Sequence, residues 1–225
     1  MPWVYSFADA CELGKINDMV GFLKRGGVDL ELRDRLGNTV LQTAVNNNIP
    51  NAYSVFDTLL AYGANPFTTN YSGENTVHSA ANYNNPDIVH RLIELGVNPK
   101  LAGTRHGTTP LHVAALGCCV DVIRLLINHG VDQLHKDPGM DCEICQRGGW
   151  TALDYAREMI RHHDLRGSDR DGRSEARYQT MELLRVSEKK LAFAMGHNTR
   201  LGEGSILHRI DPDVLRVILD AVEIE

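Results

Sequence analysis

Apolar positions recur along this chain in a repeated pattern of two helices per unit. A short motif, an apolar residue followed by two variable residues and alanine, occurs at Phe7–Ala10, Leu41–Ala44, Val77–Ala80, Leu111–Ala114 and Leu153–Ala156. An apolar pair followed within four residues by glycine closes four units, at Gly26, Gly63, Gly96 and Gly130. These glycines are 37, 33 and 34 residues apart. A period near 33 predicts a solenoid, in which neighbouring units bury each other's apolar faces.

Each unit also carries helix start and stop signals. A threonine hydroxyl can cap a helix, and threonine precedes the first helix of four units, at Thr39, Thr76, Thr109 and Thr151. The second helices carry apolar stripes that we expect in the core, namely Ile88, Val89, Leu92 and Ile93, then Val122, Ile123, Leu125, Leu126 and Ile127. Gly63, Gly96 and Gly130 stand where a left-handed C-cap is expected, so the chain should turn there.

One unit resembles a known family closely. The segment from Gly107 to Ala115, GTTPLHVAA, is similar to the ankyrin-repeat signature, and weaker copies begin at Gly37, Thr76 and Gly149. The resemblance covers about five repeats in roughly residues 3–190. It implies an all-α ankyrin-repeat solenoid of stacked helix-turn-helix units joined by hairpin loops. It also implies that His78 and His112 are structural groups that tie adjacent loops together.

Departures from the pattern predict insertions and a separate end. Insertions are expected near residues 46–51, 131–149 and 162–177, and Cys118-Cys119 should weaken a tight turn without abolishing its helix pair. We expect a repeat domain over residues 1–190 and a helical segment over 191–225, with a helix at Ser187–Met195 and a turn from His197. This segment is either a cap on the last unit or a partner-binding tail, because Ile210–Leu219 resembles the first helix of an F-box.

Composition places the chain in the ordinary globular class. It has 225 residues, a net charge of -6, 43% hydrophobic and 23% charged residues. This balance excludes a strongly basic nucleic-acid binder, and no apolar run approaches the length of a membrane-spanning helix. The start lacks the pattern of a secretory signal, and five cysteines favour reduced thiols. We therefore expect a cytoplasmic or nuclear protein.

Catalytic and metal signals are weak. No nucleophile triad, paired carboxylates or phosphate loop can be recognised, so neither an enzyme nor a cofactor is expected. Cys142 and Cys145 have a zinc-ligand spacing, with His135 and His162 or His163 as further candidates, but two reduced thiols on an exposed loop is the simpler interpretation. The arginines between 157 and 173 alternate with acidic residues, which favours a solvated segment over a nucleic-acid site.

The resemblance implies a function by binding. In that family the concave face, formed by hairpin tips and first helices, recognises other proteins, so we expect a monomeric adaptor with a protein partner. The corresponding positions are Arg35, Asn38, Tyr71, Glu74, His106 and Thr108 at the tips, and Asn46, Asn47, Asn82, Tyr83 and Leu116 on the helices. Tyr71 and Tyr83 are the expected anchors. The alternative is a ubiquitin-ligase substrate receptor whose C-terminal helix recruits the scaffold.

Overall fold

A computed structural model describes residues 6–46, 48–103, 107–137, 149–166 and 174–201. These residues form five pairs of helices, α1–α2, α3–α4, α5–α6, α7–α8 and α9–α10. Their bounds are α1 Phe7–Glu12, α2 Ile16–Arg25, α3 Val40–Thr43, α4 Ala52–Ala61, α5 Thr76–Asn82, α6 Pro86–Glu94, α7 Pro110–Leu116, α8 Val120–Asn128, α9 Ala152–Arg166 and α10 Ser174–Leu201. First helices pack in the series α3, α5, α7, α9, and second helices in the series α2, α4, α6, α8, α10. The predicted all-α solenoid is confirmed.

The first helices begin at capping residues, with one correction to the sequence prediction. Thr39 and Thr109 are N-caps as expected. At Thr151 the hydroxyl accepts from the Asp154 N–H at 3.4 Å, one residue before α9. The prediction for Thr76 is wrong, because Asn75 is the N-cap of α5 and Thr76 is its first helical residue. The Asn75 side-chain oxygen accepts from the backbone N–H groups of Val77 and His78, which a carboxamide oxygen does as well as a hydroxyl.

The apolar stripes of the second helices form the core between units. The side chains of α6 and α8 that are fully buried are Ile88, Val89, Leu92, Val122, Ile123 and Leu126. The three other predicted stripe residues, Ile93, Leu125 and Ile127, are half-buried and pack against this core. Each fully buried aliphatic side chain contributes about 1.5–3 kcal/mol relative to exposure. Stability therefore comes mainly from contacts between neighbouring units.

The hairpins between units turn where glycine was expected. Gly63, Gly96 and Gly130 have φ of 94°, 88° and 69°, in the left-handed region that favours glycine. Two hairpins are closed by isolated antiparallel bridges, Arg33 to Thr39 and Thr69 to Asn75. The tips of these hairpins stand beside the first helices and form one edge of the face described below.

The turns between paired helices include one longer connection. Between α3 and α4 the described residues 44–46 and 48–51 lie outside helices, whereas three residues separate α5 from α6. This longer connection lies where the insertion near 46–51 is expected. Cys118 adopts a left-handed conformation with φ of 55°, as Asn84 does with φ of 50° at the same position of the α5–α6 turn, and α7 and α8 pair. Cys118-Cys119 therefore leaves the helix pair intact, as expected, but the predicted weakening of the tight turn is wrong, because Cys118 adopts the left-handed conformation that this turn uses in the preceding unit.

The last helix corrects the prediction for the C-terminal part. α9 extends to Arg166 and α10 begins at Ser174, so helix occupies both ends of the insertion expected over 162–177. α10 then continues without a break to Leu201, past the expected domain boundary after residue 190 and the turn expected from His197. It packs on α8 and α9 and buries Leu184 completely. Ile210–Leu219, the F-box-like segment, lies outside the described residues.

Candidate protein-binding face

One position of each first helix joins successive units. It is the third helical residue, and it is Gln42 in α3, His78 in α5 and His112 in α7. Each side chain accepts a hydrogen bond from the backbone N–H of its own N-cap, at 3.0, 3.1 and 3.2 Å respectively. Gln42 Nε2 then donates to the Glu74 carbonyl at 3.1 Å, and His78 Nε2 lies 3.1 Å from the Thr108 carbonyl. These residues therefore bind a helix start to the next hairpin.

His112 makes the same kind of connection to the last unit. Its Nδ1 accepts from the Thr109 N–H, and its Nε2 lies 3.1 Å from the carbonyls of both His135 and Trp150. This arrangement requires the tautomer with the proton on Nε2. Burial lowers the pKa of both His78 and His112 below the usual histidine value. Both imidazoles are thus neutral structural groups near pH 7, as the family resemblance implies.

A groove of about 680 Å³ runs over these buried side chains. Its lining repeats from unit to unit. The hairpin tips contribute Asn38, Glu74 and Thr108. The first helices and the turn after α3 contribute two further rows, which are Thr43, Ser79 and Val113, then Asn46 of that turn with Asn82 and Leu116. Each row takes one residue from each of three successive units. The groove is therefore the concave side of the stack.

The chemistry of the groove changes along its length. Toward the N-terminal units the helix rows present hydroxyl and amide groups, from Thr43, Asn46, Ser79 and Asn82. In the unit of α7 the same positions hold Val113 and Leu116, both half-buried, and we call these two residues the apolar end. Among the described residues that line the groove, none is a lysine or arginine, whereas Glu12 and Glu74 are acidic.

Most of the residues expected on the binding face lie together in this groove. Asn38, Asn46, Glu74, Asn82, Tyr83, Thr108 and Leu116 all line it. Thr108 is only 6% exposed, so it offers little surface to a partner. Arg35 and Tyr71 are exposed at the tips and do not line the groove. Asn47 and His106 lie outside the described residues.

The two tips that carry Asn38 and Glu74 are joined by side-chain hydrogen bonds. Asn70 Nδ2 donates to Asn38 Oδ1 at 3.1 Å and to Glu74 Oε2 at 3.0 Å. Asn38 Nδ2 in turn donates to Asp34 Oδ2 at 3.1 Å. The backbone N–H groups of Glu74 and Ser72 donate to Asn70 Oδ1, so Asn70 itself is fixed. The Glu74 carboxylate is therefore held in one place at the edge of the groove.

Tyr71 lies at the junction of the same two tips. Its backbone N–H donates to the Leu36 carbonyl at 3.1 Å, and 69% of the residue is exposed. A Cβ atom placed on Gly37 would come within 2.5 Å of the Tyr71 ring, so the ring lies directly against the glycine. Tyr71 thus projects from the rim of the groove, next to Leu36, which lines it.

Sequence reasoning missed the row nearest the groove floor. Thr43, Ser79 and Val113 each stand two residues after the apolar residue of the alanine motif, and none was selected. Their common repeat position is the signal that could have identified them. Glu12, Asn48 and Asn70 were missed for another reason, because they come from the end of α1, an insertion and a hairpin, with no shared position in the motif.

A buried carboxylate fixes the base of the second insertion. Asp137 is 2% exposed, and it accepts hydrogen bonds from the Trp150 N–H at 3.0 Å and from the Tyr155 hydroxyl. The Asp137 N–H donates to the Trp150 carbonyl at 3.1 Å. Tyr155 lies edge-on to His112, with 5.6 Å between the ring centres. The end of the groove is therefore a hydrogen-bonded cluster, and no pattern in the sequence pointed to Asp137.

Of the candidate zinc ligands, only His135 has a described side chain. Cys142 and Cys145 lie outside the described residues, and so do the side chains of His162 and His163. His135 Nε2 lies 3.2 Å from the Gly107 carbonyl and so takes part in hairpin packing. Within the described ranges, no group of three or more histidine, cysteine and acidic side chains could hold a metal ion. The described part of the chain also contains no helix with the length and apolarity to cross a membrane.

Two arginines of α9 are paired with acidic neighbours. Arg157 forms an ion pair with Asp154 at 3.3 Å, and Arg161 forms one with Glu158 at 3.5 Å. This agrees with the interpretation of this region as a mixed-charge surface.

Comparison with known families identifies the repeats. A family model described as ankyrin repeats (3 copies) matches residues 7–102, 51–137 and 78–165, which together cover more than half of the chain. All four helix pairs from α1 to α8 fall within these matches, and so does the groove.

Several curated proteins are similar over part of this region. Human B-cell lymphoma 3 protein is 28% identical over 123 residues, which is 53% of this chain and 26% of that protein. Mouse NF-kappa-B inhibitor delta is 34% identical over 88 residues, 39% of this chain and 26% of that protein. Glycerophosphocholine phosphodiesterase gde1 of Schizosaccharomyces pombe is 28% identical over 102 residues, 45% of this chain and 8% of that protein. The chain thus matches about a quarter or less of the length of these relatives.

Proposed function

This chain belongs to the ankyrin-repeat family, and on that premise we propose that it is a non-catalytic adaptor that binds a protein partner through its concave groove. The observation that carries the proposal is the lining of the groove, which takes the same repeat positions from three successive units. Repeated units that present equivalent positions along one side form an extended binding surface. The relative named NF-kappa-B inhibitor delta further supports a protein as the partner.

The groove chemistry supports a binding role over catalysis. His78 and His112, which lie at its floor, already use both ring nitrogens in hydrogen bonds, Nδ1 to the N-cap of the same helix and Nε2 to a carbonyl of the next unit. Burial causes their lowered pKa values, and the two side chains serve the packing of the units. One relative is named as a phosphodiesterase, but the matched segment is 8% of its length. We therefore propose no enzymatic activity and no cofactor for this chain.

The charge of the groove argues against a nucleic-acid ligand. Its acidic residues, Glu12 and Glu74, would repel a phosphate backbone. We propose a monomer that acts in the cytoplasm or nucleus. The ligase-receptor interpretation stays a prediction, because it depends on residues after Leu201.

Affinity purification and mass spectrometry test the proposal directly. The full chain is compared with Tyr83→Ala and Asn82→Ala in the groove, and with Tyr53→Ala as the matched control. Tyr53 is 45% exposed on α4, does not line the groove, and has an exposure close to the 36% of Tyr83. The proposal predicts a partner that is lost with both groove variants and kept with the control.

Two outcomes would change this assignment. If every partner survives both groove substitutions while the variants remain folded, the concave face is the wrong surface. If a scaffold-type partner is lost only when the chain is shortened after Leu201, the ligase-receptor interpretation is favoured instead.

A further inference from the structure

The groove contains a fixed negative charge that no cation of the described chain neutralises. Glu74 Oε2 accepts one hydrogen bond from Asn70, and within the described residues no lysine or arginine forms an ion pair with this carboxylate. Arg35 on the neighbouring tip is exposed and does not line the groove. A fixed carboxylate at the edge of a groove is complementary to a cationic side chain, which it can hold by charge-assisted hydrogen bonds.

Amide groups line the wall next to this charge. Asn82 is exposed, and Asn46 is half-buried with its Oδ1 accepting from the Asn48 N–H at 2.9 Å. A carboxamide can donate to a carbonyl and accept from an N–H, so it can bind the main chain of a peptide regardless of sequence. Side chains at one repeat position on successive units suit an extended peptide that crosses the units in turn.

The apolar end offers a different contact one unit further along. Val113 and Leu116 occupy the positions that hold Ser79 and Asn82 in the preceding unit. Both are half-buried, so each still has surface for an aliphatic side chain to cover. The groove therefore has a direction, with a carboxylate and amides in one unit and apolar side chains in the next.

The distance from one unit to the next sets the spacing between the two side chains of the ligand. Packed helices such as α5 and α7 are about 8–10 Å apart, whereas an extended chain advances about 3.3 Å per residue. The step from one unit to the next thus corresponds to about three residues of an extended peptide.

We propose that the groove binds an extended peptide segment of its partner that carries a lysine or arginine against Glu74 and, about three residues away, an aliphatic side chain on Val113 and Leu116. This inference rests on the proposed function and adds the chemistry of the partner. Asn82 binds the peptide main chain between the two side chains, and Asn46 binds it one unit beyond the basic residue.

Selection from an unbiased library tests the chemistry. Phage-displayed random peptides are selected on the full chain, and an enriched peptide is synthesised for titration by fluorescence polarisation. We expect the enriched sequences to share a basic and an aliphatic residue about three positions apart. Replacing the basic residue by glutamine, or inserting one glycine between the two, should weaken binding, and added salt should weaken it further.

Variants of the protein locate the binding site. Glu74→Gln should weaken binding about threefold to tenfold. Glu94→Gln on the outer side of α6, where the carboxylate pairs with Arg91 at 3.3 Å, is the matched control and should leave binding unchanged. Val113→Ser introduces the residue found at this position in the preceding unit, and it should weaken binding of the aliphatic residue about threefold or more. Circular dichroism of each variant establishes that it is folded.

The possible results separate this inference from the proposed function. Enrichment of acidic or uncharged peptides that still depend on Asn82 would overturn the inference and leave the concave face as the binding surface. Failure to enrich any peptide, with partners in affinity purification still dependent on Asn82 and Tyr83, would also overturn it, because the ligand would then be a folded surface. If peptides are enriched but no groove variant affects them, both the inference and the choice of face are wrong.

Discussion

Replacing the two buried histidines by glutamine should make the protein less sensitive to acid. Gln42 already occupies the equivalent position in α3, where it accepts from the Thr39 N–H at 3.0 Å and donates to the Glu74 carbonyl at 3.1 Å. Glutamine can therefore make the hydrogen bonds that His78 and His112 make, and unlike histidine it does not titrate. The perturbation is the double variant His78→Gln, His112→Gln.

The sign and size of the effect follow from proton linkage. Burial lowers the pKa of both histidines in the folded chain, whereas in the unfolded chain their pKa is close to the ordinary histidine value of about 6.5. Below that pH the unfolded chain binds more protons, so the free energy of unfolding falls as the pH is lowered. A histidine that stays neutral in the folded chain at pH 5 lowers the free energy of unfolding by at most about 2 kcal/mol, and the pair lowers it by at most about 4 kcal/mol.

Near pH 7.5 the double variant should be close to the wild type. The largest loss is the edge-on contact of His112 with Tyr155, and such aromatic pairs contribute about 0.5–1.5 kcal/mol. At pH 5 the variant should be the more stable protein, because it lacks the protonation penalty. Other titrating groups contribute equally to the two proteins. Their contributions therefore cancel when the change in the free energy of unfolding with pH is compared between the wild type and the double variant.

Urea unfolding followed by far-ultraviolet circular dichroism at both pH values measures this difference. The control is His90→Gln, because His90 is 55% exposed at the side chain and lies on the outer side of α6. The control should follow the wild type at both pH values. An equal loss of stability between pH 7.5 and pH 5 in the wild type and the double variant would refute the reasoning.

Three further substitutions test the packing. Cys118→Gly should be more stable than Cys118→Ala by about 1 kcal/mol in urea unfolding, because both lose the thiol but glycine tolerates φ of 55°. Gly37→Ala should lower the melting temperature, because φ is 83° at Gly37 and the new Cβ would meet Tyr71. Gly21→Ala is the control and should leave the melting temperature unchanged, because a Cβ there meets no other atom. Leu184→Ala should lower the free energy of unfolding by about 2–5 kcal/mol, because Leu184 is fully buried between α10 and the preceding unit. Val186→Ala, at an exposed position of the same helix, should have little effect on chemical unfolding.

The repeated parts of the fold could be predicted from the sequence because one pattern specifies them several times. Gly63 and Gly96, for example, follow equivalent helices, and each has the positive φ that its position implied. The error at Thr76 has a physical cause, since asparagine and threonine both cap helices and stand side by side there. The sequence pattern locates the start of the helix, but competition between the two adjacent capping groups determines which residue is the N-cap.

The C-terminal unit and the groove were harder to predict because they depend on contacts between distant parts of the chain. Nothing near Asp137 indicates that its carboxylate will meet the hydroxyl of Tyr155 eighteen residues later. The polar composition of residues 162–177 suggested a loop, yet α9 and α10 occupy its two ends, because packing on the preceding unit stabilises helices of modest intrinsic propensity.

Stability and recognition reside on adjacent positions of the same first helix. In α5, His78 points into the stack, where it binds the Thr108 carbonyl, whereas Ser79 and Asn82 face the groove. Asn82 is exposed, so its replacement should change the free energy of unfolding by less than about 0.5 kcal/mol. Replacing His78 by alanine leaves the buried Asn75 N–H without its partner and removes the hydrogen bond to the Thr108 carbonyl of the next unit, and an unpaired buried group costs about 1–3 kcal/mol. Parallel measurements of unfolding and partner binding should therefore separate the two substitutions: Asn82→Ala loses the partner and keeps the stability, and His78→Ala loses stability first. If Asn82→Ala unfolds as readily as His78→Ala, the groove wall is part of the structural framework and cannot vary independently of it.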